Sequence, residues 1–153
     1  MGRAWVVRRA SLYLIIAAAG NLVCDAVHIP LYTIWSTGTR REILVAVTHC
    51  TGGDVLIGAT ATLLLAALFA WLLGWRPFGH RMAAAAIVLG IAYTILSEWL
   101  NVEVWRSWSY SPAMPVLPWL GTGLGPMPQW FLVPALAFVI TSSSWTGGQR
   151  RGT

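Results

Sequence analysis

The sequence predicts an all-α integral membrane protein, a four-helix bundle forming a single transmembrane domain over residues 1–153. Three observations predict it. The chain is 57% hydrophobic and only 10% charged, where a soluble domain carries about 25% charged residues. Its apolar residues fall in long runs with charge confined to the ends, the pattern of helices that cross a hydrocarbon core of about 30 Å. All ten basic residues are arginine, set mostly in pairs between the runs, where they act as topology signals.

Each run is a span. The first extends from about Ser11 to Trp35. Arg8-Arg9, the run S-L-Y-L-I-I and A-A-A-G at 17–20 also fit a cleavable signal peptide. The apolar character continues through V-H-I-P-L-Y-T-I-W, however, as a full span requires. The second span, about Ile43 to Trp75, would reach roughly 50 Å as a straight helix. It must tilt, project into the interface or break, and Gly52-Gly53 is the place for a break. The third runs from about Met82 to Val104 and the fourth from about Pro128 to Trp145, with a long outer loop over 105–127 between them. With the N-terminus inside, Arg3, Arg8, Arg9, Arg76, Arg81, Arg150 and Arg151 are cytoplasmic. Only Arg40, Arg41 and Arg106 are then outside, so the arginine bias places both termini in the cytoplasm.

Several classes are excluded. The chain has no lysine, so no Schiff-base chemistry is available. Scattered arginines do not form a nucleic-acid-binding patch. Cys24 and Cys50 lie within apolar runs, where a thiol acts as a small hydrophobe. No internal repeat supports the inverted-repeat logic of many transporters. G-T-G-L-G at 121–125 lacks the strand and βαβ unit of a phosphate loop and reads as turn chemistry. His80, beside Arg76 and Arg81, reads as a solvated loop residue.

The polar residues within the runs carry the functional signal. Asn21, Asp25, His28 and Tyr32 follow i, i+4, i+7, i+11 spacing and share one helical stripe, with Pro30 a potential kink. Cys50 and Asp54 share a face in the second span, while His49 points about 100° from Cys50 unless the glycine pair twists the turn. Thr94, Glu98 and Asn101 share a stripe in the third, and Gln129 enters at the outer end of the fourth. At 1.5 Å per residue, His28, His49 and Glu98 lie about 9–10 Å below the outer ends of their spans, and Asp54 about 16 Å. A charge at such depth costs about 2.5 kcal/mol or more, so these groups are expected to face inward and meet in a pocket opening outward.

Imidazole, carboxylate and thiol together suit a divalent metal such as zinc, iron or copper. The expected ligand set is Asp25, His28, His49, Asp54 and Glu98, with Cys50 optional. Such a metal would polarise a substrate or activate water, with Glu98 or Asp54 as general base. A haem held between His28 and His49 is the alternative cofactor. The aromatic, proline-rich loop would shelter an apolar small-molecule substrate such as a lipid or isoprenoid, or serve only as an interfacial aromatic belt. Two other readings stand beside the metal site. In one, the chain is a small accessory or assembly subunit with a membrane-protein partner, its polar residues fixing packing for about 0.6 kcal/mol each. In the other it is a proton or ion conduit.

The blocks H-C-T-G-G-D (49–54), S-E-W-L-N-V (97–102), W-S-Y (108–110) and G-T-G-L-G-P followed by Q-W (121–130) resemble a family of small four-span proteins of the bacterial inner membrane. The resemblance implies that membrane and that topology, and no activity. W-x-Y followed by a proline-rich turn after a glutamate-bearing helix is similar to the short membrane lycopene-cyclase domains. Those carry a P-x-E-E element in this region, where Gln129 is the comparable polar residue here.

Overall fold

The computed structural model describes residues 2–143. Helix α1 (Arg3–His28) is followed by a single 3-10 turn (Ile29–Leu31) and the short helix α2 (Ile34–Thr37). Helix α3 (Arg40–Gly53) runs through a π-helical segment (Asp54–Ala59) directly into α4 (Thr60–Leu72). Helix α5 (His80–Trp99) ends in a second π-helical segment (Leu100–Val104), and α6 (Met127–Ser143) closes the described chain. The all-α class expected from the sequence is what the structure shows.

Three continuous helical stretches are long and apolar enough to cross a membrane: Arg3–Leu31, Arg40–Leu72 and His80–Val104, with mean hydropathies of 1.7, 2.3 and 1.7. Their outer surfaces carry bare Leu56, Trp71, Val27 and Val88, each at least 66% exposed. Rings of large apolar side chains like these suit contact with lipid rather than water. The protein is a membrane protein. Over the fourth expected span runs α6, of which 17 residues are described, about 25 Å of helix. Its predicted end at Trp145, like Arg150 and Arg151, lies outside the described residues.

Helix α6 nonetheless completes the bundle, packing against both α1 and α5, while α4 lies on α5 and α3 on α1. Small residues permit the approach, as expected where lipid leaves helices no hydrophobic drive to associate. A Cβ placed on Gly20 would stand 2.9 Å from Val133, and one on Gly90 only 2.4 Å from the Trp130 ring. The core below the polar level is rich in alanine, with Ala66, Ala86 and Ala137 fully enclosed around Tyr13.

Helix boundaries differ from the sequence reading in two places that shape the site. Helix α1 stops at His28, because Pro30 lacks an N–H and its ring crowds the preceding turn. The chain tightens into the 3-10 turn and Tyr32 becomes extended, at φ −110° and ψ 149°. Tyr32 therefore leaves the helical stripe on which the spacing had placed it. The second span does not break at Gly52-Gly53. It starts at a reciprocal cap, where Thr39 N–H donates to Glu42 Oε2 at 2.7 Å and Thr39 Oγ1 accepts from Glu42 N–H. It then widens into the π-helix one residue after the glycine pair. Thr60 closes that turn by giving both its N–H and its hydroxyl to the Val55 carbonyl.

Candidate functional site: two carboxylate centres

The first centre gathers around Gln129, in the first turn of α6 and only 1% exposed. Its Nε2 lies 2.8 Å from Asp54 Oδ2, 3.0 Å from Asn21 Oδ1 and 3.3 Å from Asp25 Oδ1. Thr51 donates its hydroxyl to the other oxygen of Asp25 at 2.5 Å. Asn21, Asp25 and His28 occupy the stripe of α1 that the spacing predicted. The Asp54 carboxylate comes in from the start of the π-helix, and π-bulges recur at functional positions.

The hydrogen-bond count at this centre does not close. A carboxamide nitrogen has two hydrogens, and three acceptor oxygens face it. Touching one nitrogen at 2.8 and 3.3 Å, the Asp25 and Asp54 oxygens stand no more than about 6 Å apart, close enough for like charges to oppose joint ionisation. Every hydrogen bond these two carboxylates receive comes from a neutral group. On the other side of the amide, the buried Gln129 Oε1 faces the buried His28 Nδ1, whose N–H form would donate to it. The His28 ring lies beside both Asp25 and Gln129.

The second centre is Glu98, 6% exposed near the end of α5. Tyr32 donates to its Oε1 at 3.1 Å and Tyr110 to its Oε2 at 2.5 Å. The Tyr110 oxygen in turn accepts the Gly123 N–H at 2.8 Å, and the Trp108 ring lies edge-on to Tyr32. Backbone pairing brings the two tyrosines together. Thr33 N–H bonds Ser109 O, Ser111 N–H bonds Leu31 O, and Tyr32 and Tyr110 form an antiparallel bridge. Burial, then the Glu98 carboxylate, hold the Tyr110 hydroxyl above the usual phenol range. The 121–125 glycines do more than turn the chain. Gly121 takes φ +62°, while a Cβ on Gly123 would sit 2.9 Å from the Tyr110 ring. The loop is thus pinned over Glu98, with Trp119 left 92% exposed as an interfacial ring.

Of the six expected ligands, Asp25 and Asp54 meet at the Gln129 amide with His28 beside it, and Glu98 stands in the second centre. Cys50 feels the charges of Asp25, Asp54 and Glu98, and Asp54 those of Asp25 and Glu98. His49 does not join them: it is exposed on the outer face of α3. Helix α3 is regular through Gly53, so the 100° step from Cys50 persists, and the π-helix begins too late to turn His49 inward. Among the described residues, no three side chains of His, Cys, Asp or Glu are placed to hold a metal ion. The Gln129 nitrogen lies between Asp25 and Asp54 where a cation would sit, and both Glu98 oxygens are held by tyrosines.

A helical membrane protein with two carboxylate centres, one clasped by two tyrosines and one sharing a single amide nitrogen, is the class that these features define. No protein-family model, curated protein or solved structure matches the chain.

Proposed function

We propose that the chain is a multi-pass protein of the bacterial inner membrane, with both termini cytoplasmic, whose Asp25–Asp54 pair takes up and releases a proton within the bilayer. The observation that carries this reading is the single Gln129 nitrogen shared by two carboxylates and an asparagine oxygen. In that arrangement a proton on one carboxyl removes the clash of like charges and supplies a donor the site lacks. Asp25, His28 and Asp54 are only half-buried within the bundle. The arginine bias supports the orientation, with the pair in the outer half of the bilayer.

This is the conduit reading among those the sequence left open. The metal-dependent reading, acting on a lipid-like substrate, lacks three converging ligands among the described residues. An accessory role in a larger complex remains compatible with the same fold, and the proton-flux experiment separates the two. Purified protein is reconstituted in liposomes that hold a pH-sensitive dye, and a potassium diffusion potential drives protons inward. The native chain should acidify the lumen faster than empty liposomes, and Asp54→Asn should abolish the excess rate. Equal rates for native protein, Asp54→Asn and empty liposomes would overturn the reading.

A further inference from the structure

The outer loop also forms a recess that neither carboxylate centre uses. Trp99, at the end of α5, and Glu103, in the π-helical segment after it, line the recess from the helix. Trp119, Leu120 and Gly121 line it from the loop, around a volume of about 280 Å³. Spaced i, i+4, Trp99 and Glu103 are neighbours on the helix surface. Across from them, the Leu120 and Gly121 N–H groups bond the Leu117 carbonyl at 3.2 and 2.9 Å, and Leu117 N–H bonds Thr122 O at 2.9 Å. Those bonds fold the loop into a tight turn that carries Trp119. Gly121 takes φ +62° in it, and a Cβ there would stand 2.8 Å from Glu103 Oε1. The glycine thus makes room for the carboxylate against the turn.

Glu103 differs from the other four acids of the chain. Asp25, Asp54 and Glu98 belong to the two centres, and Glu42 Oε2 accepts from the Thr39 N–H and hydroxyl. Glu103 has neither a hydrogen bond nor an ion pair among the described residues, and Arg106, three positions on, makes no ion pair with it. A carboxylate beside two indole rings selects its ligand by chemistry. The faces of aromatic rings attract cations, tryptophan most strongly, and quaternary ammonium ions are the ligands that such sites recognise. A hard metal ion asks for several oxygen ligands, and the recess offers one carboxylate. An anion would be repelled by Glu103.

We infer that this recess binds an alkylammonium ion, with its charge against Glu103 and its methyl or methylene groups against Trp99 and Trp119. The recess lies at the end of the third span, at the level where aromatic rings meet lipid headgroups. The ammonium group therefore belongs either to a phospholipid headgroup or to a soluble ion. A ring that served only as an interfacial anchor would need neither a carboxylate beside it nor a glycine that makes room for one. The site is independent of the Asp25–Asp54 pair and stands or falls apart from the proton reading.

Tetramethylammonium chloride, titrated into full-length protein in a non-ionic detergent, tests the site through the indole ¹H–¹⁵N resonances. The chain has ten tryptophans, so Trp99→Phe and Trp119→Phe assign the two that line the recess. Both should shift along one saturable curve, which sodium chloride at equal concentration should not reproduce. Glu103→Gln should weaken binding roughly tenfold through loss of one charge pair near the protein surface. Glu42→Gln, at an acid outside the recess, should leave binding unchanged. Nanodiscs then separate the two sources. In phosphatidylglycerol nanodiscs, whose lipid has no ammonium group, tetramethylammonium should shift both resonances. In phosphatidylcholine nanodiscs it should shift them no further if a lipid headgroup occupies the recess, and fully if the ligand is a soluble ion. Indoles that fail to respond saturably in detergent, or that respond equally in Glu103→Gln, overturn the site.

Discussion

The Glu98 and Gln129 centres place the same chemistry, carboxylates beneath apolar surface, at neighbouring positions in one bundle, and they solve it differently. At Glu98 each oxygen receives one tyrosine proton, and Tyr110 receives the Gly123 N–H in turn. Each Glu98 oxygen there has its own donor, with the buried Trp108 Nε1–H beside it left over. At Gln129 three acceptors share two hydrogens. Fully matched buried networks rigidify a structure, whereas partly matched ones hold a reason to change. The first centre therefore ties the outer loop to α1 and α5, and the second is where protonation has something to gain.

The comparison breaks most visibly at Glu98. Glu98→Ala strands two tyrosine hydroxyls and releases the loop, and hydrogen bonds to charged groups are worth about 1.5–3 kcal/mol each. A loss of roughly 3–4 kcal/mol in unfolding free energy is expected, read by denaturant titration in mixed micelles. Asp54→Asn should leave stability within about 1 kcal/mol of native, because it removes a like charge from the pair. Equal losses for the two variants would show that the centres do not differ in kind.

Tyr110→Phe tests the clasp more gently, with an expected loss of about 2 kcal/mol. Its pH dependence has a definite sign. The Tyr110 hydroxyl titrates above the usual phenol range in the folded chain, so the clasp contributes fully below the ordinary tyrosine value of about 10. That contribution is lost only as pH rises through the higher folded value. Hydrogen exchange of the Gly123 amide should therefore keep a constant protection factor from neutral pH to about pH 10 in native protein and fall beyond it. In Tyr110→Phe the same amide should be poorly protected already at neutral pH.

Much of this is legible in the sequence, and the rest is hidden for definable reasons. Helical periodicity placed Asn21, Asp25 and His28 on one face, and the polar content of the spans required them to face inward. Tyr32 broke from that stripe because Pro30 ended the helix, a local rule that spacing alone overlooks. Tyr110 belongs to an irregular loop, where no periodicity exists to aim a side chain, and its place depends on long-range backbone pairing with residues 31–33. Gln129 was visible as a lone amide in the first turn of an apolar helix, but its three partners lie on two other segments. Asp54 gave its helix face away correctly, whereas the π-helix that begins there has no sequence signature beyond the preceding glycine pair.

Glycine substitutions give a smaller and more local version of the comparison. At the Glu98 centre, Gly123 is crowded: a Cβ would meet two atoms of the Tyr110 ring at 2.9 Å and Met114 Sδ at 3.1 Å. Gly123→Ala should force the ring from the carboxylate and lower stability by about 1–2 kcal/mol, within the range for overpacking. Beside the Gln129 centre, a Cβ on Gly52 would meet nothing within 4 Å, and this residue lies inside the regular helix α3. Alanine there removes backbone entropy from the unfolded chain without a clash, so Gly52→Ala should raise stability by roughly 0.5–1 kcal/mol. The informative measurement is the same variant in the proton-flux experiment. If the glycine serves only to be small, flux stays at the native rate while stability rises. If flux falls in a variant that is more stable and contacts nothing new, the mobility of the helix before Asp54 is part of how the pair exchanges its proton.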